Sequence, residues 1–181
     1  MSDAMQAAPR WRVEGDPVHT LRTCRRVEFA DTDMAGIIHF SRYFVFMESA
    51  EHELFNAVGT SVHTTVDGEA IGWPRLRASC EFVRPVRFED EVEIVARVRR
   101  KGSRSITWGF ELRHRGELVA RGELVTVCCA LAAGAPPRSI PIPETIARRL
   151  AEAPASDPDG DDAAQCGDPV RSPRRGSREG G

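Results

Sequence analysis

The sequence predicts an α+β domain in which one long apolar helix covers the inner face of a five-stranded antiparallel sheet. Three observations carry that prediction. Five stretches alternate apolar and polar residues with period two. One stretch of helical period stands between the first of them and the other four. The links between the later stretches hold turn chemistry short enough to join antiparallel neighbours. Such a sheet has one apolar face, and the helix is the only element with enough apolar surface to cover it.

Each element follows in order. Residues 21–29 place Leu21, Thr23, Arg25, Val27 and Phe29 on one side, a strand leading into an acidic turn. From Ser41 the period becomes helical: Tyr43, Met47, Ala50, Leu54 and Val58 recur at three- and four-residue steps, flanked by Phe44, Phe46 and Phe55, and Gly59 stands where a C-terminal glycine belongs. A loop runs through Trp73-Pro74. Alternation returns in Leu76/Ala78/Cys80/Phe82, in Val92/Ile94/Ala96/Val98, in Ile106/Trp108/Phe110/Leu112 and in the run from Leu118 to Leu131. Arg84-Pro85, Lys101-Gly102-Ser103 and Arg115-Gly116 mark the links. Residues 1–19 read as an N-terminal extension, 20–153 as the domain and 154–181 as a disordered tail, because "PASDPDGDDAAQCGDPVRSPRRGSREGG" has almost no large apolar residue to offset the entropy of ordering.

Composition narrows the function. The 181 residues are 41% hydrophobic and 29% charged, ordinary for one soluble domain with a real core. A net charge of −2 gives no global field to hold a nucleic acid or an anionic membrane. The opening residues lack the apolar stretch of a signal peptide and no run is long enough to span a bilayer, so a cytoplasmic protein is expected. Five cysteines, without CxxC or Cys/His spacing, suggest neither a disulfide framework nor a zinc site, and no metal or other cofactor is expected.

The stretch "EFADTDMAGIIHFSRYFVFMESAEHELF", residues 28–55, holds the chemistry. Two acids where the chain enters its apolar part are either solvated turn residues or a reaction site, since a carboxylate is costly to bury without partners. Asp31-Thr32-Asp33, Gly36, Tyr43, Glu48 and Ala50 resemble the D-x-D-x-x-G…Y-x-x-x-x-E-x-A signature of the 4-hydroxybenzoyl-CoA thioesterase family, and the resemblance covers about residues 20–132. It implies a hotdog fold, with the sheet wrapped around a central helix, and hydrolysis of an acyl-CoA to a free acid and CoA. It also implies a homodimer or homotetramer with active sites at the subunit interface. Coenzyme A is then part of the substrate.

The resemblance implies roles residue by residue. Asp33 would be the nucleophile or general base, and Asp31 would brace the turn. The backbone N–H of Phe40, seven residues on, would receive the oxyanion at the helix start. Gly36 would let the backbone approach the substrate, and Tyr43 would line its site. Some relatives carry a histidine where this chain has Phe40, with His39 just before it; His39 would orient substrate or tune Asp33, or serve only as a structural histidine. Arg42 stands where several relatives have asparagine. A second branch uses a helical glutamate, which makes Glu48 the reserve carboxylate, while Glu51 falls further inside the apolar stripe. Relatives place Arg and Ser of the "ARVRRKGSRS" link on the nucleotide, which nominates Arg100, Lys101, Ser103 and Arg104; the same stretch also reads as a charged hairpin keeping a sheet edge soluble. Two rival functions remain at this stage, a non-catalytic acyl-CoA sensor and a hotdog hydratase or dehydratase.

Overall fold

The computed structural model describes residues 17–154. The expected disordered tail, and most of the expected N-terminal extension, lie outside the described residues. Val18, counted with the extension, donates its N–H to the Arg149 carbonyl at 2.9 Å and belongs to the folded body.

The elements run β1 (Thr20–Arg26), a 3-10 turn (Phe29–Asp31), α1 (Phe40–Ala57), β2 (His63–Val66), β3 (Glu69–Gly72), β4 (Arg75–Phe82), β5 (Glu91–Lys101), β6 (Ser105–His114), β7 (Glu117–Val127), β8 (Cys129–Leu131), β9 (Arg138–Ser139) and α2 (Glu144–Ala147). The five expected strands form one antiparallel sheet in the order β1-β5-β6-β7-β4. Its strand pairing departs from the expected succession of neighbours. Only β5, β6 and β7 follow one another. The Arg84-Pro85 link does not join adjacent strands: β4 pairs with β7, Cys80 opposite Gly122, and β5 pairs with β1.

Two further corrections concern what lies beside that sheet. The expected loop before Trp73 contains the hairpin β2–β3, which joins β8 and β9 in a four-stranded sheet. The apolar run to Leu131 is two strands rather than one. It breaks at Cys128, whose N–H donates to the Arg104 carbonyl at 2.7 Å.

The helix behaves as its stripe requires. Tyr43, Met47, Ala50, Leu54 and Val58 are all buried, in one cluster with Ile94, Ala96, Trp108 and Leu124 from the sheet. A fully buried Leu, Phe or Met contributes about 1.5–3 kcal/mol of hydrophobic stabilisation, so this face dominates the core. Met47 packs over a glycine of β7: a Cβ on Gly122 would run into the Met47 thioether and come within 3.0 Å of the Ser79 carbonyl. Its end is a Schellman motif, with Thr60 N–H on the Phe55 carbonyl, Gly59 N–H on the Asn56 carbonyl and Gly59 at φ +73°.

Three local readings change. Phe29 leaves the strand's inner face; it sits in the 3-10 turn, 79% exposed, against Phe88. Leu76 and Phe82, on edge strand β4, remain 67% and 49% exposed. Cys24 is disulfide-bonded, a bond the odd cysteine count did not suggest, whereas Cys80, Cys128 and Cys129 are free.

Candidate active site

The acidic turn is built by its own hydrogen bonds. Asp31 is buried; its Oδ2 accepts the Glu28 N–H at 2.9 Å, its Oδ1 accepts Arg42 Nε–H at 2.5 Å and its carbonyl accepts the His39 N–H at 2.8 Å. All its acceptors are engaged, so it braces the turn. Asp33 differs. Its Oδ1 accepts the Ala35 N–H at 2.8 Å, and its other carboxylate oxygen takes no partner among the described residues. Gly36 donates to the Asp33 carbonyl at 2.9 Å with φ +71°. A Cβ there would meet nothing within 4 Å, so the backbone conformation rather than crowding calls for glycine.

The turn delivers the chain to the start of α1, where unpaired N–H groups concentrate positive potential. His39 is the N-cap: its Nδ1 accepts the Ser41 N–H at 3.4 Å and pairs with Ser41 Oγ at 2.8 Å, and its ring lies 4.4 Å from that of Phe40. Nδ1 thus serves the cap, while Nε2 has no partner among the described residues. Phe40, the first helical residue, has an N–H without a partner among the described residues.

Asp33, Phe40 and Tyr43 share a cleft of about 410 Å³, completed by Ile37, Phe82 and Arg84. Tyr43 and Phe82 form its aromatic wall, their rings 5.1 Å apart. Burial, with Cys80 nearby, pushes the Tyr43 hydroxyl up to about 12, so it stays protonated. A larger groove of about 650 Å³ lies over the charged face of the sheet. Its Arg113 pairs with Glu111 and its Arg121 with Glu81, each at 3.1 Å, and neither Asp33 nor Phe40 lines it.

The remaining nominated residues stand elsewhere. Glu48 is half-exposed on α1, outside the cleft, 3.2 Å from Arg75 Nη2 and 3.8 Å from His52 Nε2. The basic link between β5 and β6 does not line the cleft, and the segment after β8 clasps it. Lys101 Nζ donates to the carbonyls of Ala147 at 2.7 Å and Leu150 at 2.6 Å, so two of its three donors are spent. Arg104 Nη1 donates to the Ser139 carbonyl at 3.1 Å. Arg100 and Ser103 keep side chains without partners among the described residues.

Sequence reasoning placed Glu51 inside the stripe without finding its partner. Its carboxylate is wholly buried, with Oε2 2.6 Å from Arg75 Nη2 and Oε1 unpartnered. Burial raises Glu51 to about 7; Arg75 opposes the shift and Glu48 adds to it. A carboxyl whose pKa is raised on folding stabilises fully below the unfolded value, about 4.5, and that contribution is lost as pH rises through about 7. Glu51→Gln should therefore flatten the pH dependence of stability. Its melting temperature relative to the parent should rise on the order of 5 °C between pH 5 and pH 8. Parallel thermal curves at both values would refute this.

Known proteins supply the family. The family model described as Thioesterase-like superfamily matches residues 27–150. A 1,4-dihydroxy-2-naphthoyl-CoA hydrolase of Parasynechococcus marenigrum is 28% identical over 85 residues, 43% of this chain and 56% of that protein. One from Thermosynechococcus vestitus is 25% identical over 140 residues, 76% of this chain and 93% of its own. The chain thus spans about half the length of some curated relatives it matches and nearly all of others. Among solved structures, the BH1999 gentisyl-coenzyme A thioesterase superposes with a TM-score of 0.64 at 27% identity, over 72% of this chain and all of that one. These likenesses bear out the hotdog fold. The family match begins at the acidic turn's threshold and runs through the segment that clasps the β5–β6 link, and on it the chain belongs to the Thioesterase-like superfamily.

Proposed function

We propose that the protein hydrolyses acyl-CoA thioesters to a free carboxylic acid and CoA, with Asp33 as the reactive carboxylate and the Phe40 N–H as oxyanion donor. One observation carries the reading: Asp33, with a carboxylate oxygen left open, lines the same cleft as Phe40, the helix-start residue whose N–H is left open. Asp33 attacks the thioester carbonyl directly or takes a proton from the attacking water. In either course the carbonyl oxygen gains charge beside Phe40 and the C–S bond breaks to release the CoA thiolate. Direct attack leaves an acyl anhydride on Asp33, which water then hydrolyses to the free acid and the regenerated carboxylate; attack by water gives the acid at once, and the proton freed from water goes to the thiolate in each course. The aromatic wall of Tyr43 and Phe82 suits a planar acyl group, and the relatives named for naphthoyl and gentisyl thioesters support an aromatic one. Arg100 and Ser103 are the nucleotide contacts we favour from the basic link, being the two with open side chains.

The working unit we propose is a homodimer or homotetramer. Edge strand β4 exposes Leu76 and Phe82, and Phe82 with Val83 also lines the cleft, so a second copy seated there would bury apolar surface and close the site together. The proposed reaction calls for no cofactor, since a carboxylate, a backbone donor and water suffice for it. Among the described residues no group of three or more His, Cys, Asp or Glu is placed to hold a metal ion. No helix among them is long and apolar enough to cross a membrane.

Thiol release from a panel of aromatic, short-chain and long-chain acyl-CoAs tests the reading. Release should be fastest with aromatic members, survive exhaustive chelation and come from a species sedimenting as a dimer or larger. Tight binding without release would identify a sensor, and a requirement for one divalent ion would refute the cofactor-free mechanism.

A further inference from the structure

We propose that Arg42 is a positioning residue for this hydrolysis, acting through Asp31 as the clasp that holds the Asp33 carboxylate in register with the Phe40 N–H. The inference rests on the thioesterase reading. Its geometry is that of a closed loop. Asp31 lies two residues before Asp33, Arg42 lies two residues after Phe40, and their side chains meet at 2.5 Å. Both reactive groups therefore lie between the two ends of one ion pair. Within that loop the Asp33 N–H to Ile37 carbonyl bond at 3.0 Å and the Gly36 N–H to Asp33 carbonyl bond at 2.9 Å shape the turn. They do not tie it to the helix. That tie is made by the His39 N–H to Asp31 carbonyl bond and by Arg42.

The Asp31 side chain explains why the guanidinium is needed. It is 4% exposed, with Oδ2 committed to the Glu28 N–H, so Arg42 Nε–H is the side-chain donor for Oδ1 and the counter-charge beside it. Without it a buried carboxylate oxygen loses its donor, and the turn must open toward water to hydrate it. Opening carries Asp33 away from Phe40, and a misplacement of about 1 Å costs about 10²-fold in rate. A lysine would restore charge but not the directed Nε–H.

Kinetics on 4-hydroxybenzoyl-CoA and the best substrate of the panel, with the folded fraction measured by thermal unfolding, test the clasp. Arg42→Gln should lower kcat about 10²-fold per folded molecule with KM within about threefold. Arg42→Lys should recover part of that loss. The Asp31→Asn/Arg42→Gln double variant removes the buried charge and keeps a folded protein available should the single variant fail to fold. Its kcat should fall no more than about threefold below the lower single variant, because the two residues act as one unit. Normal kcat in folded Arg42→Gln, with only a lower melting temperature, would overturn the proposal in favour of a purely structural pair. So would strictly additive losses. No thiol release by the parent protein from any panel member would instead overturn the thioesterase reading, and the inference with it.

Discussion

Replacing Asp33 by asparagine should lower kcat by at least about 10²-fold, the scale for removing a general base, while leaving acyl-CoA binding nearly intact. The substitution is conservative where structure is concerned. An asparagine Oδ1 can still accept the Ala35 N–H that now holds Asp33 Oδ1 at 2.8 Å, so the turn should keep its shape. Only the basicity of the open oxygen is lost. Since the start of α1 favours an anion, removing the carboxylate leaves that potential for the substrate, and binding measured by calorimetry could only hold or tighten. Near-normal turnover in Asp33→Asn, together with an inactive Glu48→Gln, would move the reactive carboxylate onto the helix beside Arg75.

Phe40→Pro should be comparably damaging, about 10²–10³-fold in kcat, for the opposite reason: besides the exposed ring, it removes a backbone donor. Proline is favoured at the first helical position, where its missing N–H forms no intrahelical bond. The residue before it must be extended, and His39 already is, at φ −66° and ψ 137°. Helix content and melting temperature should therefore hold. Phe40→Ala is the control, because it deletes the exposed ring but keeps the N–H, and it should cost less than about tenfold. If the two variants turn over at similar rates, the oxyanion is bound elsewhere.

The parts of this molecule legible in the sequence are those whose signal is local. The α1 stripe, the Gly59 stop and the acidic turn each lie within a few residues of one another, and the structure has them where the periodicity put them. The hairpin β2–β3 was equally local. Asp67 and Gly68 both have positive φ, the backbone of the Asp-Gly turn that tight hairpins use, and the flanking strands were too short and too polar to stand out. Other features depend on residues far apart in the chain. Nothing near Glu51 announces Arg75, and nothing near Lys101 announces the carbonyls of Ala147 and Leu150 that occupy it. A basic stretch that holds a nucleotide and one that holds its own C-terminal segment read alike, because both need the same donors. Strand order was misread for a related reason. A turn signal such as Arg84-Pro85 says that the chain reverses, not which strand it reverses onto.

That strand order also sets a timetable. The strands made first, β1 and β4, are the two edges of the sheet, and each pairs only with a strand made later, β5 or β7. A nascent chain that ends before residue 91 thus carries the apolar helix and two strands with no partner in the main sheet. Folding must wait for the β5–β6–β7 meander, whose contacts are local, and then recruit α1, β1 and β4 across long loops. Such closure is slow, on the millisecond-to-second scale of folds dominated by non-local pairing. Until it is complete, the exposed face of α1 and the open edge of β4 are the surfaces through which two unfinished chains would meet.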